Sequence, residues 1–373
     1  MKNFNALALP KTLHRALDNM AFYQPTPIQI KAIPPALSGR DILGSAQTGT
    51  GKTAAFGIPL VTKLMSNAQS KALVLAPTRE LATQVISQLQ TMLGKQSNVK
   101  STLLIGGASM LKQIRQLRDH PRLIVGTPGR INDHLERNHL KLHDTGFLVL
   151  DETDRMLDMG FTIQVEKIMA HMPESRQTLL FSATLSKHII KISKKYLSDP
   201  LQVIVDNPSA PAKKIKHKAL RMSVKQKYSK LTEQLDQCDG SIIVFVKTKY
   251  QASKLATKLS KQQYRAIAMH GDLRQNKRER VLAAFRKRKY RILVATDIAA
   301  RGLDIHHIKH VINYDIPQCS EDYIHRVGRT ARAGTTGSAM CFVTPADEKK
   351  WRIINKTLNP TVKKNKAKKQ LNK

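Results

Sequence analysis

Ala46-Gln47-Thr48-Gly49-Thr50-Gly51-Lys52-Thr53 reads as a loop built to hold phosphate, placed directly after a strand expected at 41–44. Its glycines let backbone N–H groups wrap phosphate oxygens, Lys52 reaches the terminal phosphates, and the Thr53 hydroxyl suits Mg2+. Ala46 stands at the first position of the G-x-x-x-x-G-K-T pattern, where a glycine is usual. Farther along, Val149-Leu150-Asp151-Glu152-Thr153-Asp154 ends an apolar strand in carboxylates. Asp151 is then placed to hold the Mg2+, partly through water, and Glu152 to polarise an attacking water. A glycine-rich turn beside a surface acidic cluster is the bland reading of either piece alone. Both pieces at strand ends of one chain point to binding and hydrolysis of a nucleoside triphosphate.

The surrounding sequence alternates short β-branched runs with amphipathic stretches, the pattern of parallel α/β sheets. Strands are expected at 41–44, 72–75, 102–105, 123–125, 147–150 and 178–181, and again at 242–246, 266–269, 292–295, 311–314 and 339–343. Helices are expected at 81–93, 251–261 and 275–286. The candidate residues fall where strands end, and open α/β sheets bind ligands there. Asp206-Asn207-Pro208-Ser209-Ala210-Pro211 has no apolar period and reads as a linker. The expected organisation is therefore an α/β unit at 1–205, a linker at 206–216, a second α/β unit at 217–360, and a disordered basic tail at 361–373.

The formal net charge is +36 over 373 residues. Residues 1–206 carry 25 Lys and Arg against 15 Asp and Glu, whereas residues 207–373 carry 38 against 12. That excess favours a polyanion such as nucleic acid. No apolar stretch of about 20 residues suits a membrane. Cys238, Cys319 and Cys341 are scattered, so neither a zinc site nor a disulfide framework is expected. They suit reduced thiols in a cytoplasmic protein. The first residues lack a long apolar segment, and a cleavable targeting peptide is not expected.

His325-Arg326-Val327-Gly328-Arg329-Thr330-Ala331-Arg332 brings a second set of phosphate-type groups. Arginines three apart would share one side of a helix, and planar guanidiniums suit phosphate. Supplied from a separate unit, such arginines stabilise charge in the transition state.

With these motifs in hand, the chain resembles a DEAD-box RNA helicase from Phe4 to Gly334. The resemblance implies two tandem RecA-like parallel-sheet domains, the first carrying the adenine-reading segment at 2–30. It gives ATP to Phe4, Phe22, Gln29, the loop Ala46 to Thr53, and Asp304, with Mg2+ at Thr53 and Asp151. Catalysis falls to Lys52, Asp151, Glu152, Arg329 and Arg332. Coupling falls to Asp154, Ser182, Thr184, His325 and Arg326, with His325 turned toward Asp154. RNA is implied at Pro77, Thr78, Arg79, Gly106, Gly107, Thr127, Pro128, Gly129 and Arg130, and in the second half at Thr248, Arg278 and Thr296. Compactness and a short basic tail look most like the RhlE type of bacterial member.

Three residues depart from the family pattern. Thr153 stands where alanine is usual, while Ala21 and Ala331 replace glycines, which puts only local backbone geometry in question. The expected activity is RNA-stimulated ATP hydrolysis with local unwinding of short duplexes and no sequence preference, since aromatic residues are only 5% and no stacking platform appears. An RNA clamp or particle remodeller with little strand separation, and a DNA translocase, are the rival readings. Intact Glu152, Arg329 and Arg332 oppose a clamp without turnover, and the segment from Phe22 to Gln29 opposes the DNA enzyme. The core is expected to act as a monomer, and ribosome-assembly particles or an RNA-degrading nuclease complex are expected partners.

Overall fold

The computed structural model describes residues 3–46, 49–205, 215–300, 305, 307–331 and 336–358. The expectations for Gln47, Thr48, Asp304, Arg332, most of the linker and the basic tail lie outside the described residues. The chain divides into two compact units, residues 1–206 and 207–373.

The first unit is a seven-stranded sheet of β1 (Ile42–Ser45), β2 (Ala72–Leu75), β3 (Ser101–Leu104), β4 (Leu123–Gly126), β5 (Phe147–Leu150), β6 (Gln177–Ser182) and β7 (Leu201–Ile204). All pairings are parallel, in the order β3-β4-β2-β5-β6-β1-β7. Side chains alternate across the sheet with period two. Leu43, Leu73, Leu75, Leu148, Leu150 and Leu180 enter the core on one face. Ile42, Val74, Val149, Leu179 and Phe181 enter the core on the other. Helices cover both faces, which is why the inner strands β2, β4 and β5 carry no polar side chain. Each fully buried Leu, Ile, Val or Phe contributes about 1.5–3 kcal/mol.

The second unit repeats the design with β8 (Ile215–Arg221), β9 (Ser241–Phe245), β10 (Ala266–Met269), β11 (Ile292–Ala295), β12 (Ile308–Asn313) and β13 (Gly337–Val343), ordered β10-β11-β9-β12-β13-β8 and again wholly parallel. Ile243, Phe245, Leu293 and Val311 pack on one side, and Ile242, Val244, Ile292 and Ile312 on the other.

Two strands escape the sequence pattern. Both β7 and β8 lie at sheet margins, and each buries only one of its side chains, Val203 and Ile215 respectively. Exposed Lys216 and Lys218 in β8 are the kind of residue that protects an edge from further pairing. The helices expected at 81–93 and 251–261 start earlier, at Arg79 and Lys249. The Thr78 hydroxyl accepts from Leu81 N at 3.2 Å and that of Thr248 from Gln251 N at 3.1 Å. These threonines are N-caps, satisfying amides that otherwise have no partner in the first turn. The helix Gln275–Arg286 falls where the spacing put it.

Both alanines at family glycine positions have positive φ, Ala21 at 56° and Ala331 at 55°. Ala21 closes the helix Lys11–Asn19, with its N–H on Asp18 O and Phe22 N–H on Leu17 O. Left-handed backbone costs an L-residue about 1–2 kcal/mol, offset in part by the lower chain entropy of alanine when unfolded. Ala21→Gly and Ala331→Gly are therefore each expected to raise stability by about 0.5–1 kcal/mol in urea unfolding. A loss of stability in either variant would show that the methyl group packs favourably enough to outweigh the strain.

Candidate functional site

β1 runs into the phosphate loop, where Gly49 and Gly51 have φ of 85° and 90°. Gly51 is the N-cap of the helix Lys52–Ser66, and a helix N-terminus following such a loop presents N–H groups to an anion. A Cβ on Gly51 would come within 2.4 Å of Gln29 Nε2, so this glycine is required by both its backbone and its packing. Lys52 is buried, and its Nζ has no hydrogen-bond partner among the described residues. A buried ammonium in that condition is expensive unless an anion joins it.

The strand of the carboxylates, β5, is separated from β1 only by β6. Asp151 follows β5 and is buried, with Oδ1 accepting from Glu152 N at 2.9 Å. Burial pushes its carboxyl up to about 7, against the pull of the Lys52 charge, and the neighbouring Glu152 and Asp154 add to the rise. A hard dication beside Asp151 and the Thr53 hydroxyl would reverse that penalty, so these oxygen donors fit Mg2+. Glu152 sits in left-handed backbone at φ 49°, ψ 50°. Its Oε2 accepts from Arg155 Nη1 at 2.8 Å, and both side chains are almost wholly buried. Thr153 donates its hydroxyl to Leu150 O at 3.2 Å, so the extra group relative to alanine is satisfied locally.

Asp154 links this strand end to that of β6. Its Oδ2 accepts from Ala183 N at 3.0 Å, Thr184 N at 3.1 Å and Thr184 Oγ1 at 3.4 Å. Ser182 donates its hydroxyl to Thr184 O at 2.7 Å, so neither Ser182 nor Thr184 is presented as a nucleophile. The segment after β6 is thereby tied to the carboxylate strand.

In the segment expected to read adenine, Phe4 and Phe22 pair with ring centroids 6.4 Å apart. Gln29 is buried, accepts from Thr26 N at 2.9 Å and donates Nε2 to Gly51 O at 3.1 Å. One amide thus closes the cap of the helix Pro27–Leu37 and holds the end of the phosphate loop.

The expected RNA residues of the first unit converge at the ends of β2, β3 and β4. The Arg79 guanidinium lies against Gly106 and Gly107: a Cβ on Gly107 would meet Arg79 Nη1 at 2.3 Å. Thr127 is the N-cap of the helix Pro128–Glu136, which contains Pro128, Gly129 and Arg130. Arg130 Nη1 donates to Ala108 O at 3.3 Å, and Pro77 and Thr78 lead into the helix that carries Arg79. Two residues not anticipated from sequence reinforce the cluster. Gln113 Nε2 donates to Ile105 O at 3.1 Å, and Gln113 Oε1 faces His134 Nε2 at 3.3 Å, joining the glycine loop to the Thr127 helix. Burial brings the His134 pKa down to about 4, so the ring is neutral and Nε2 carries the donated proton.

In the second unit Thr248 caps its helix, Thr296 precedes the helix Asp297–Ala300, and Arg278 is buried in Gln275–Arg286. The arginine motif is divided. The helix Ser320–Val327 stops at Val327 with Gly328 N on Ile324 O, so Arg326 and Arg329 do not share a helical face as the spacing suggested. Arg326 is turned inward: Nε and Nη2 hold Asp297 at 2.6 and 2.7 Å, and Nη1 donates to Asn313 Oδ1 and Asp315 O. Its guanidinium also lies 5.0 Å from the Phe245 ring. Arg329 is buried with Nε on His325 O at 3.2 Å. Arg155, Gln113, His134 and Asp297 are the functional neighbours missed from sequence. Only Arg155 left a signal, three residues after Glu152 on a helix.

A family model described as DEAD/DEAH box helicase matches residues 26–192, and one described as helicase conserved C-terminal domain matches 226–334. The chain is 46% identical over 359 residues to the DEAD-box ATP-dependent RNA helicase CshA of Geobacillus kaustophilus, covering 96% of this chain and 77% of that protein. It is 44% identical over 356 residues to the protein of the same name from Bacillus subtilis, covering 95% and 72%. Among solved structures, S. cerevisiae Dbp5 bound to RNA and ADP BeF3 superposes with a TM-score of 0.86 at 32% identity, covering 96% of this chain and 93% of that one. The bacterial relatives bear the CshA name, so the narrower RhlE likeness gives way to the broader family.

Proposed function

Because this chain belongs to the DEAD-box helicase family, we infer that it is an ATP-dependent RNA helicase, coupling RNA-stimulated hydrolysis to local separation of short duplexes. The observation that carries the reading is Lys52, a buried ammonium with no hydrogen-bond partner among the described residues, beside a strand end that carries Asp151 and Glu152. Terminal phosphates supply the missing anion. Thr53 and Asp151 would hold Mg2+, Asp151 partly through water. When bound, the ion neutralises charge on the β- and γ-phosphate oxygens.

Glu152 orients and polarises the attacking water, and Arg155 fixes the direction of that carboxylate. Arg329 and Arg332 are assigned to the charge that builds on the γ-phosphate. Asp304 is assigned to the ribose. Asp154, through Ala183 and Thr184, passes the state of the nucleotide to the RNA-facing loops. Hydroxyls, backbone N–H groups and guanidiniums at Thr78, Arg79, Gly107, Thr127, Arg130, Thr248 and Thr296 suit phosphate and 2′-hydroxyl, which accounts for binding without sequence preference.

The core is proposed to act as a monomer in the cytoplasm, on ribosome-assembly particles or with an RNA-degrading nuclease complex. A short RNA duplex with a single-stranded flank tests strand separation: it melts with ATP and stays paired without nucleotide. Equal melting in both conditions contradicts the reading.

Gln29→Ala supplies a second check. The amide can offer a donor and an acceptor to the adenine edge, and it also secures Gly51. All nucleotides are expected to bind more weakly, with ATP losing about tenfold more than GTP, the scale of one discriminating hydrogen-bonded contact. Equal losses, measured as KM for each nucleotide, make Gln29 a support for the loop alone.

A further inference from the structure

The motifs of the second unit stand at the ends of its strands, while the starts of the same strands form the opposite margin of the sheet. That margin is basic. Arg265 immediately precedes β10, and its carbonyl accepts from Arg291 N at 2.8 Å, so the loops leading into β10 and β11 touch. The helix Gln275–Arg286 ends there and is followed by Lys287, Arg288 and Lys289, all exposed, as are Arg265 and Arg286. The neighbouring start of β9 adds Lys309 from β12, whose stem lies against Gly240: a Cβ there would meet Lys309 Cδ at 2.6 Å. β10, β11, β9 and β12 are consecutive in the sheet, so these side chains share one edge.

Two acids stand close to this margin, Asp236, whose Oδ1 accepts from the Tyr264 hydroxyl at 2.8 Å, and exposed Asp239 before β9, so the cations outnumber them. Among the described residues, Arg265, Lys287, Arg288, Lys289 and Lys309 make no ion pair. Arg291 is the exception that belongs to the fold, donating to the carbonyls of Leu235, Cys238 and Gly240. Cations at a helix C-terminus complement its dipole, which accounts for one or two of those after Phe285. It does not account for Lys309, which lies within β12. Arg288 moreover has φ 56°, a conformation that glycine adopts at lowest cost.

We propose that this margin of the second sheet is a separate contact for the phosphate backbone of folded RNA extending beyond the motif-bearing edge. The inference rests on the helicase reading above. Strands of four to six residues separate the two edges, a span of about 13–20 Å at 3.3 Å per residue. An oligonucleotide that only fills the motif edge leaves the margin empty, whereas a longer structured RNA reaches both. A protein or membrane partner would want apolar area at the centre of the patch, and among the described residues no exposed large hydrophobic side chain lies on this margin. Charge with little apolar surface beyond the half-buried Tyr264 and Tyr290 suits a polyanion bound by counterion release.

The test uses the full chain and the triple variant Lys287→Glu, Arg288→Glu, Lys289→Glu, whose side chains are exposed. Binding is measured at several salt concentrations for a single-stranded oligonucleotide of about eight residues and for a long RNA with stable hairpins. The variant is expected to bind the long RNA at least tenfold more weakly, with a log–log salt slope lower by about 2–3. Its affinity for the short oligonucleotide and its RNA-saturated ATPase rate are expected to be unchanged. A neutral triple glutamine variant should fall between. Unchanged binding of the long RNA, or equal loss for both RNAs, overturns the proposal, as does loss of binding to anionic vesicles with the long RNA unaffected. Failure of the helicase reading shows separately, as an unsubstituted chain whose ATPase neither RNA stimulates.

Discussion

Glu152→Gln is expected to slow RNA-stimulated ATP hydrolysis by about 10²–10⁴-fold, the range a positioned general base contributes. The amide retains the shape of the carboxylate and a hydrogen-bond acceptor for Arg155, so the left-handed turn at Glu152 and the buried contact at 2.8 Å should persist. Asp151, Lys52 and Thr53 remain, and ATP binding should be held within a few-fold. What is lost is the charge that polarises water. The variant should therefore accumulate bound to ATP and RNA, seen as RNA retained in a filter or shift assay only when ATP is present. Undiminished turnover would remove Glu152 from the mechanism.

The second large effect separates two arginines of one motif. Arg326→Ala strips four hydrogen bonds from Asp297, Asn313 and Asp315 and leaves partly buried Asp297 without its counter-ion. Removing one partner of such a pair costs about 3–5 kcal/mol, so the second unit should unfold at markedly lower urea. Arg329→Ala should behave in the opposite way. It is proposed to meet transition-state charge, for which a supplied arginine is worth about 10³ or more in kcat, with a far smaller loss of stability. Urea unfolding and steady-state ATPase on the two variants give both numbers. A stable Arg326→Ala enzyme with a large loss of kcat would mean that this residue too acts on the nucleotide.

The parts of the molecule that the sequence made legible are those written in short, local patterns. The glycine loop after β1, the carboxylates after β5 and the central strands each depend on neighbouring residues or on a run of apolar side chains buried on both faces. β7 and β8 left no such trace, since edge strands bury little and tolerate lysine. The partners of the motif residues were harder still. Nothing local to Arg326 names Asp297, 29 residues earlier, and nothing local to Gln113 names His134, 21 residues later. Such pairs are set by how helices dock at strand ends. The regular spacing of Arg326 and Arg329 suggested one helical face, but the helix ends at Val327 before the second arginine is reached.

Phosphate release measured against the concentration of single-stranded RNA, with DNA of the same sequence as control, tests the central claim most directly. ATP turnover is expected to rise many-fold and saturate with RNA, and to respond little to DNA. The 2′-hydroxyl is what distinguishes the two for a backbone reader. Turnover that is independent of RNA, or stimulated equally by DNA, would contradict it.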